Sequence, residues 1–286
     1  MEIRSLENTP IEQILDAFME AFSDYAVDFP RNQVSEMFRR RGFNPKLSFA
    51  AFERERIVAF TLNGIGLHDG RLTCYDCATG TLPQYRGAGL AGKIFRHALP
   101  VLKEAGVEQY LLEVLQENDT AIALYTGNGF NKDEEYDCYS AAKNEVNVGE
   151  ESGINNSGEF RDITSADVSE KSHWWDCLPS WQNSVDSVTR GESELLIRGA
   201  FLPEEGCVGY IVSDPATGDI AQIAVDPKHR RKGIATALIS HILEFLKCER
   251  IKLLNISSNS LTLPLFLSAI GLTLGLSQYS MILPLI

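Results

Sequence analysis

At 286 residues the chain has room for about two domains of ordinary size, which excludes a single small motif. With 44% hydrophobic and 23% charged residues it has the make-up of a soluble globular protein, so collagenous, disordered and disulfide-scaffold classes fall away. Lys and Arg number 26 against 39 Asp and Glu, a net charge of −13, which argues against a broad nucleic-acid-binding surface and leaves room for one local basic loop.

The amino terminus, Met1-Glu2-Ile3-Arg4, is charged where an export signal needs an apolar run, so a cytoplasmic protein is expected. Cys74, Cys77, Cys138, Cys177, Cys207 and Cys248 are scattered, as suits a reducing compartment. Residues 48–52 and 57–62 read as strands joined by the charged turn Glu53-Arg54-Glu55-Arg56. A third strand over 72–79 contains Cys74 and Cys77, whose side chains point to opposite faces, so no shared metal is expected. His68, His97, His173, His229 and His241 show no ligand spacing either.

The turn that follows reads Thr79-Gly80-Thr81-Leu82-Pro83-Gln84-Tyr85-Arg86-Gly87-Ala88-Gly89-Leu90-Ala91 and opens an amphipathic helix over 90–104. Small residues let main chain approach an anion, and the unpaired N–H groups of a helix start face it, so a pyrophosphate fits. The same glycines make a literal GxGxxG with Glu113 further on, which keeps a nicotinamide or flavin reading as a rival. Against that rival, residues 82–86 separate the strand from the glycines. A strand over 109–114 and a short helix inside Asn118–Phe130 complete the half.

Lys143 to Glu159 is polar, rich in Asn, Ser and Gly, and reads as a linker with almost nothing to bury. Beyond it the order repeats: strands near 195–198, 207–212 and 220–225, the turn Asp226-Pro227-Lys228-His229-Arg230-Arg231-Lys232-Gly233-Ile234-Ala235, a helix over 234–247 and a strand over 251–256. Aligning the copies puts Gly87 opposite Gly233, Asn118 opposite Asn259, Glu113 opposite Leu254 and Tyr125 opposite Phe266. Trp174 and Trp175 read as packing residues, with an acceptor-pocket wall as the alternative. The charge-free stretch from Leu261 to Ile286 is broken by Pro264, Gly271 and Gly275, so a buried helix and strand are expected rather than a membrane span.

Both turns, the strand with Glu113 and the segment Asn118 to Phe130 together resemble the GNAT superfamily of acyl-CoA-dependent N-acyltransferases, in a tandem form. The resemblance implies an α/β (α+β mixed sheet) fold with two GNAT-like domains, each a mixed central sheet flanked by helices. They are expected at 1–142 and 160–286, the first catalytic and the second catalytically degenerate, with 143–159 as linker. It also implies acetyl-CoA as co-substrate, no metal, and an amine acceptor that is a small molecule or a peptide. Carried onto this chain, Gly80, Thr81 and Leu82 would pair with the pantetheine arm, and Gln84, Tyr85, Arg86, Gly87, Ala88, Gly89 and Leu90 would hold the pyrophosphate. Asn118 would bond the arm, Tyr125 would be the general acid and Glu113 the general base. In the second copy Arg230, Arg231, Lys232, Gly233, Ile234 and Ala235 keep a phosphate-binding turn, while both proton-transfer groups are gone. The acceptor side would lie near Phe22 to Val27, where Asp24 and Asp28 suit a cationic amine. A non-catalytic acyl-CoA sensor on the same fold is the alternative, and the apolar carboxyl end allows a homodimer.

Such chemistry needs these residue types. An alkyl ammonium with pKa about 10.4 is roughly one part in a thousand neutral at pH 7, a cost of about 4–5 kcal/mol that a carboxylate base relieves. A phenol with pKa about 10 can protonate or hydrogen-bond the leaving thiolate.

Overall fold

The computed structural model describes residues 1–24, 30–149 and 158–286. In chain order the first half has β1 (Glu2–Ser5), α1 (Ile11–Ala21), α2 (Arg31–Arg40), β2 (Phe49–Glu53), β3 (Arg56–His68), β4 (Arg71–Thr81), α3 (Leu90–Glu104), β5 (Gln109–Leu115), α4 (Asp119–Gly127) and β6 (Asn131–Ala142). The second half has β7 (Glu159–Asp162), α5 (Ser165–Glu170), α6 (Val185–Gly191), β8 (Leu196–Leu202), β9 (Gly206–Asp214), β10 (Asp219–Val225), α7 (Ile234–Leu243), β11 (Arg250–Ser257), α8 (Leu263–Ala269) and β12 (Thr273–Pro284).

The chain forms two compact units, Met1–Asp133 with Tyr279–Ile286, and Glu134–Gln278. This differs from a division at 142: most of β6 belongs to the second unit and the last residues of β12 to the first. In the first unit the strand order is β1-β2-β3-β4-β5 and then the end of β12. Leu285 N donates to Glu108 O at 2.8 Å there, and Met281 and Leu285 are buried. Helix α3 occupies the range its pattern predicts, because Leu90, Ile94, Ala98 and Leu102 recur every four residues and are all buried. Phe95, Tyr110 and Phe130 pack with ring centroids 5.4–5.5 Å apart. Strands β4 and β5 run parallel through Thr73↔Gln109, Cys74↔Tyr110 and Tyr75↔Leu111. Past these pairs β4 carries an extra residue, Cys77, against β3, and bends.

The second unit repeats this plan in the order β6-β11-β10-β9-β8-β7, with the start of β12 beside β6. Its parallel pair β10–β11 meets at Asp219↔Lys252, and Ala221 is the extra residue on β10 against β9. Helix α7 buries Ile234, Ala237, Leu238, Ile239 and Ile242 and stops at Leu243, short of the expected Lys247. Two expectations need correction. The segment read as a linker does bury apolar groups, since Val146 and Val148 pack on the second core and Asn147 N donates to Ile270 O at 2.9 Å. The charge-free end is only partly buried: Leu261 is 81% and Leu265 73% exposed. No helix among the described residues is long and apolar enough to cross a membrane.

Candidate functional site

In the second unit the gap beyond the parallel pair is open. A cavity of about 720 Å³ lies between Gln222–Val225 of β10 and Leu253, Asn255, Ile256 and Ser257 of β11 and extends to Arg230, Arg231, Gly233, Ile234 and Ala235. The turn is built by backbone conformation. Gly233 precedes α7 with φ 78°, and Arg231 also takes a left-handed φ of 62°. Arg230 braces the turn from within, donating to Asp176 Oδ1 at 2.6 Å, Trp174 O at 2.7 Å and Val225 O at 3.3 Å. Arg231 and Lys232 are exposed, and Ile234 is buried. Trp174 and Trp175 are both core and wall: each lines the cavity, and Trp175 Nε1 donates to Tyr210 Oη at 2.6 Å. Burial raises the pKa of the Tyr210 phenol, so it stays neutral.

In the first unit the corresponding gap is occupied by side chains. Tyr75 Oη donates to Glu113 Oε2 at 2.9 Å, Arg41 Nη1 donates to Cys77 O at 2.8 Å, and Tyr125 Oη donates to Asp76 Oδ2 at 3.0 Å. Space beside Tyr125, Asp76 and Thr79 amounts to about 10 Å³. Asp76 is a titratable residue that the sequence reading missed, because strand alternation gives no reason to single it out. Burial raises its pKa to about 6, against the hydrogen bonds from Thr79 and Tyr125 that lower it.

The other expected first-copy residues fall as follows. Gly80 is the penultimate residue of β4, where a Cβ would sit 2.5 Å from the Phe60 ring, so its small size serves packing. Thr81 ends the same strand and Leu82 is fully buried. Gln84 reaches Glu20 at 3.4 Å, Tyr85 reaches Glu53 at 2.6 Å, and Arg86 grips both oxygens of Asp24 at 2.5 and 2.8 Å. Thus Asp24, held below the usual carboxylate range by Arg86, is engaged and does not present a bare charge to an amine. Residues 25–28, including Asp28, lie outside the described residues. Gly87, Ala88 and Gly89 are exposed ahead of buried Leu90, and Asn118 caps α4 by accepting from Ala121 N at 3.1 Å.

Backbone conformation also corrects the alignment of the copies. Gly89 and Gly233 each stand before their helix in the left-handed region, so Gly89, not Gly87, matches Gly233, and Arg86 matches Arg230. Gly129 and Gly271 end the short helices with φ 95° and 91°, which puts Leu267 rather than Phe266 opposite Tyr125. Asn255, at φ 56°, is the residue of its bulge that lines the cavity; Leu254 does not, and Ser260 lines it where Asn259 was expected. Among the described residues no group of three or more His, Cys, Asp or Glu could hold a metal.

A model of the acetyltransferase (GNAT) family matches residues 11–130 and 164–268. N-alpha-acetyltransferase 30 of Schizosaccharomyces pombe is 30% identical over 87 residues, 30% of this chain and 58% of that protein. The [ribosomal protein bS18]-alanine N-acetyltransferase of Escherichia coli K12 is 31% identical over 86 residues, 30% of this chain and 55% of its own. The chain thus spans about half the length of the curated relatives it matches. A tandem GNAT protein from the clavulanic acid biosynthesis pathway superposes with TM-score 0.73 at 16% identity, covering 99% of this chain and 98% of the other. A GCN5-related N-acetyltransferase from Sphaerobacter thermophilus gives 0.70 at 13% identity, covering 99% and 96%. At such identities the likeness speaks for the fold.

Proposed function

This chain belongs to the acetyltransferase (GNAT) family, and from that membership we propose that it is an acetyl-CoA-dependent N-acetyltransferase whose coenzyme seat is the second-unit cavity. The observation that carries the reading is the opening of about 720 Å³ between β10 and β11, which reaches the left-handed turn before α7. N–H groups at the start of α7 would take the pyrophosphate, with Arg231 and Lys232 adding charge in an otherwise acidic chain. The stretch Ile223–Val225 would lie along the pantetheine amides, and Ser260 near the arm. When bound, acetyl-CoA supplies an acetyl group activated as a thioester.

The chain's own part is to orient the acceptor and exclude water, through Trp174, Trp175 and Phe266. Among the described residues lining the cavity Asp176 is the one carboxylate, and its oxygens accept from Arg230 and Thr262. Turnover at low acceptor concentration should therefore follow the free-amine fraction, rising about tenfold per pH unit below an amine pKa of about 10.4. A plateau near pH 6 or 7 would point to a base in the protein.

A second reading keeps transfer in the first unit, favoured by Tyr125 and Asp76 beside the glycine turn. Tyr125 would be the acid, with Glu113 or Asp76 the base, and residues 80–90 with Asn118 would hold the coenzyme. Calorimetric titration with coenzyme A and thiol release over a panel of small and peptide amines separates the two. Arg231→Glu should weaken coenzyme binding by about tenfold or more, the worth of ~1.4 kcal/mol, while Tyr125→Phe leaves binding and turnover nearly unchanged. The opposite pattern would sink the second-unit seat, and binding without transfer to any amine would leave a non-catalytic acyl-CoA sensor.

A further inference from the structure

One end of the second-unit cavity is made of uncharged polar groups, two of them unsatisfied. Ser180 is 1% and Asn255 3% exposed, both line the cavity, and Ser180 Oγ and Asn255 Nδ2 have no hydrogen-bond partner. Asn255 is fixed from behind, since its Oδ1 accepts from Gln278 Nε2 at 2.8 Å, which leaves Nδ2 as the unused donor. Asn183 N donates to Ser180 O at 3.0 Å, and Asn183 Nδ2 donates to Leu254 O at 2.7 Å, so Ser180 and Asn255 flank one hydrogen bond. The support is continuous: Gln222 Nε2 donates to Asn183 O at 2.6 Å, Tyr210 Oη donates to Gln222 Oε1 at 2.7 Å, and Trp175 Nε1 donates to Tyr210 Oη. None of these groups carries charge.

We propose that this end is the acceptor seat and that it selects a monoamine whose remaining body is uncharged and bears a hydrogen-bond-accepting oxygen, such as an amide carbonyl. Oxygen acceptors on a ligand supply partners to these two buried groups, which otherwise lack them. A second ammonium there would lose its water against Trp174 and Trp175, and the one carboxylate among the described lining residues, Asp176, is already engaged by Arg230 and Thr262, so polyamines and aminoglycosides are rejected. The inference rests on the coenzyme seat proposed above and names the acceptor class of that same site.

Tryptophan-fluorescence titration of the coenzyme-free chain tests it, with an amino-acid amide, a short uncharged peptide, spermidine and an aminoglycoside as probes. The first two distinguish a small-molecule from a peptide source of the amide. Both amides, or one of them, should bind at least about tenfold tighter than either polycation. Ser180→Ala and Asn255→Leu should each weaken amide binding by about fivefold or more while coenzyme A affinity stays within about twofold. Asn255→Asp keeps an oxygen for Gln278 and turns the free donor into an anion, so it should weaken amides and tighten spermidine about tenfold; it answers the question if Asn255→Leu fails to fold. Equal or tighter binding of polycations to the unaltered chain, amide binding untouched by the substitutions, or no binding of any amine would each overturn the proposal. Failure to bind coenzyme A, read separately by calorimetry, would overturn the seat itself.

Discussion

Arg231 sits at a left-handed φ of 62° where the first copy has Gly87 at 80°. A non-glycine residue there costs about 1–2 kcal/mol, partly offset by the chain entropy that glycine brings to the unfolded state. Arg231→Gly should therefore raise the melting temperature by a few degrees, for a gain of about 0.5–1 kcal/mol, and weaken coenzyme A binding. A variant that melts lower would refute the strain argument; one that binds equally well would remove Arg231 from the seat. Asp76 yields a prediction with a defined sign. Its folded pKa of about 6 lies above the ordinary aspartate value of 3.8, so the folded state holds the proton more tightly. The stabilisation from that proton is complete below pH about 4 and is lost as pH rises through about 6, an effect of about 3 kcal/mol. Asp76→Asn cannot ionise, so its stability relative to the unaltered chain should improve between pH 4 and 7, measured by urea unfolding at both ends. An advantage that does not change with pH would contradict the assignment of burial as the cause.

Helix α7 approaches its sheet at a glycine. A Cβ on Gly209 would lie 2.9 Å from Ile234 Cγ2 and 3.2 Å from Ala224 O, and backbone cannot yield as a flexible side chain can. Gly209→Ala should cost about 1–3 kcal/mol by overpacking. It should also weaken coenzyme A binding, because Ile234 is the first residue of α7 and Ala224 lines the cavity. Loss of stability with unchanged binding would uncouple the helix seat from the turn. The bulges at Cys77 and Ala221 stand at matching places in β4 and β10, ahead of Pro83 and Pro227, so both copies bend this strand away from its parallel neighbour. What fills the gap differs. The bulge alignment sets Tyr75 opposite Asp219 and Cys77 opposite Ala221, and the helix ends set Tyr125 opposite Leu267. Two phenols that span the first gap thus have no counterpart in the second.

Across the molecule, the first unit is completed by a segment distant in sequence, while the second is one continuous stretch that begins within β6. The first unit takes Tyr279–Ile286, and in the second Glu134–Ala142 of β6 opens the unit and pairs with β11, more remote in sequence. A chain ending at Gln278 should bare the edge of β5, lose the Leu285–Glu108 hydrogen bond and the burial of Met281, and aggregate more readily. Hydrogen exchange of β5 amides should speed up by about tenfold or more while that of β9 amides changes little; equal protection in both chains would show the last strand to be dispensable. The repeat, the family resemblance, the helix over 90–104 and the glycine turns were legible in the sequence, because periodicity, left-handed glycines and helix starts are local properties of a chain. Local pattern could not say which copy keeps an open cleft, since both carry the same strand, bulge, turn and helix. That was decided by side chains brought in from Arg41, Tyr75 and Tyr125 in one copy and by smaller residues in the other. Nor could it reveal Asp76 or the unsatisfied donors of Ser180 and Asn255, whose character comes from burial and from distant partners. Sequence alone determined the fold and its duplication; tertiary structure decided where there is room for a ligand, because volume and desolvation arise only when remote segments pack.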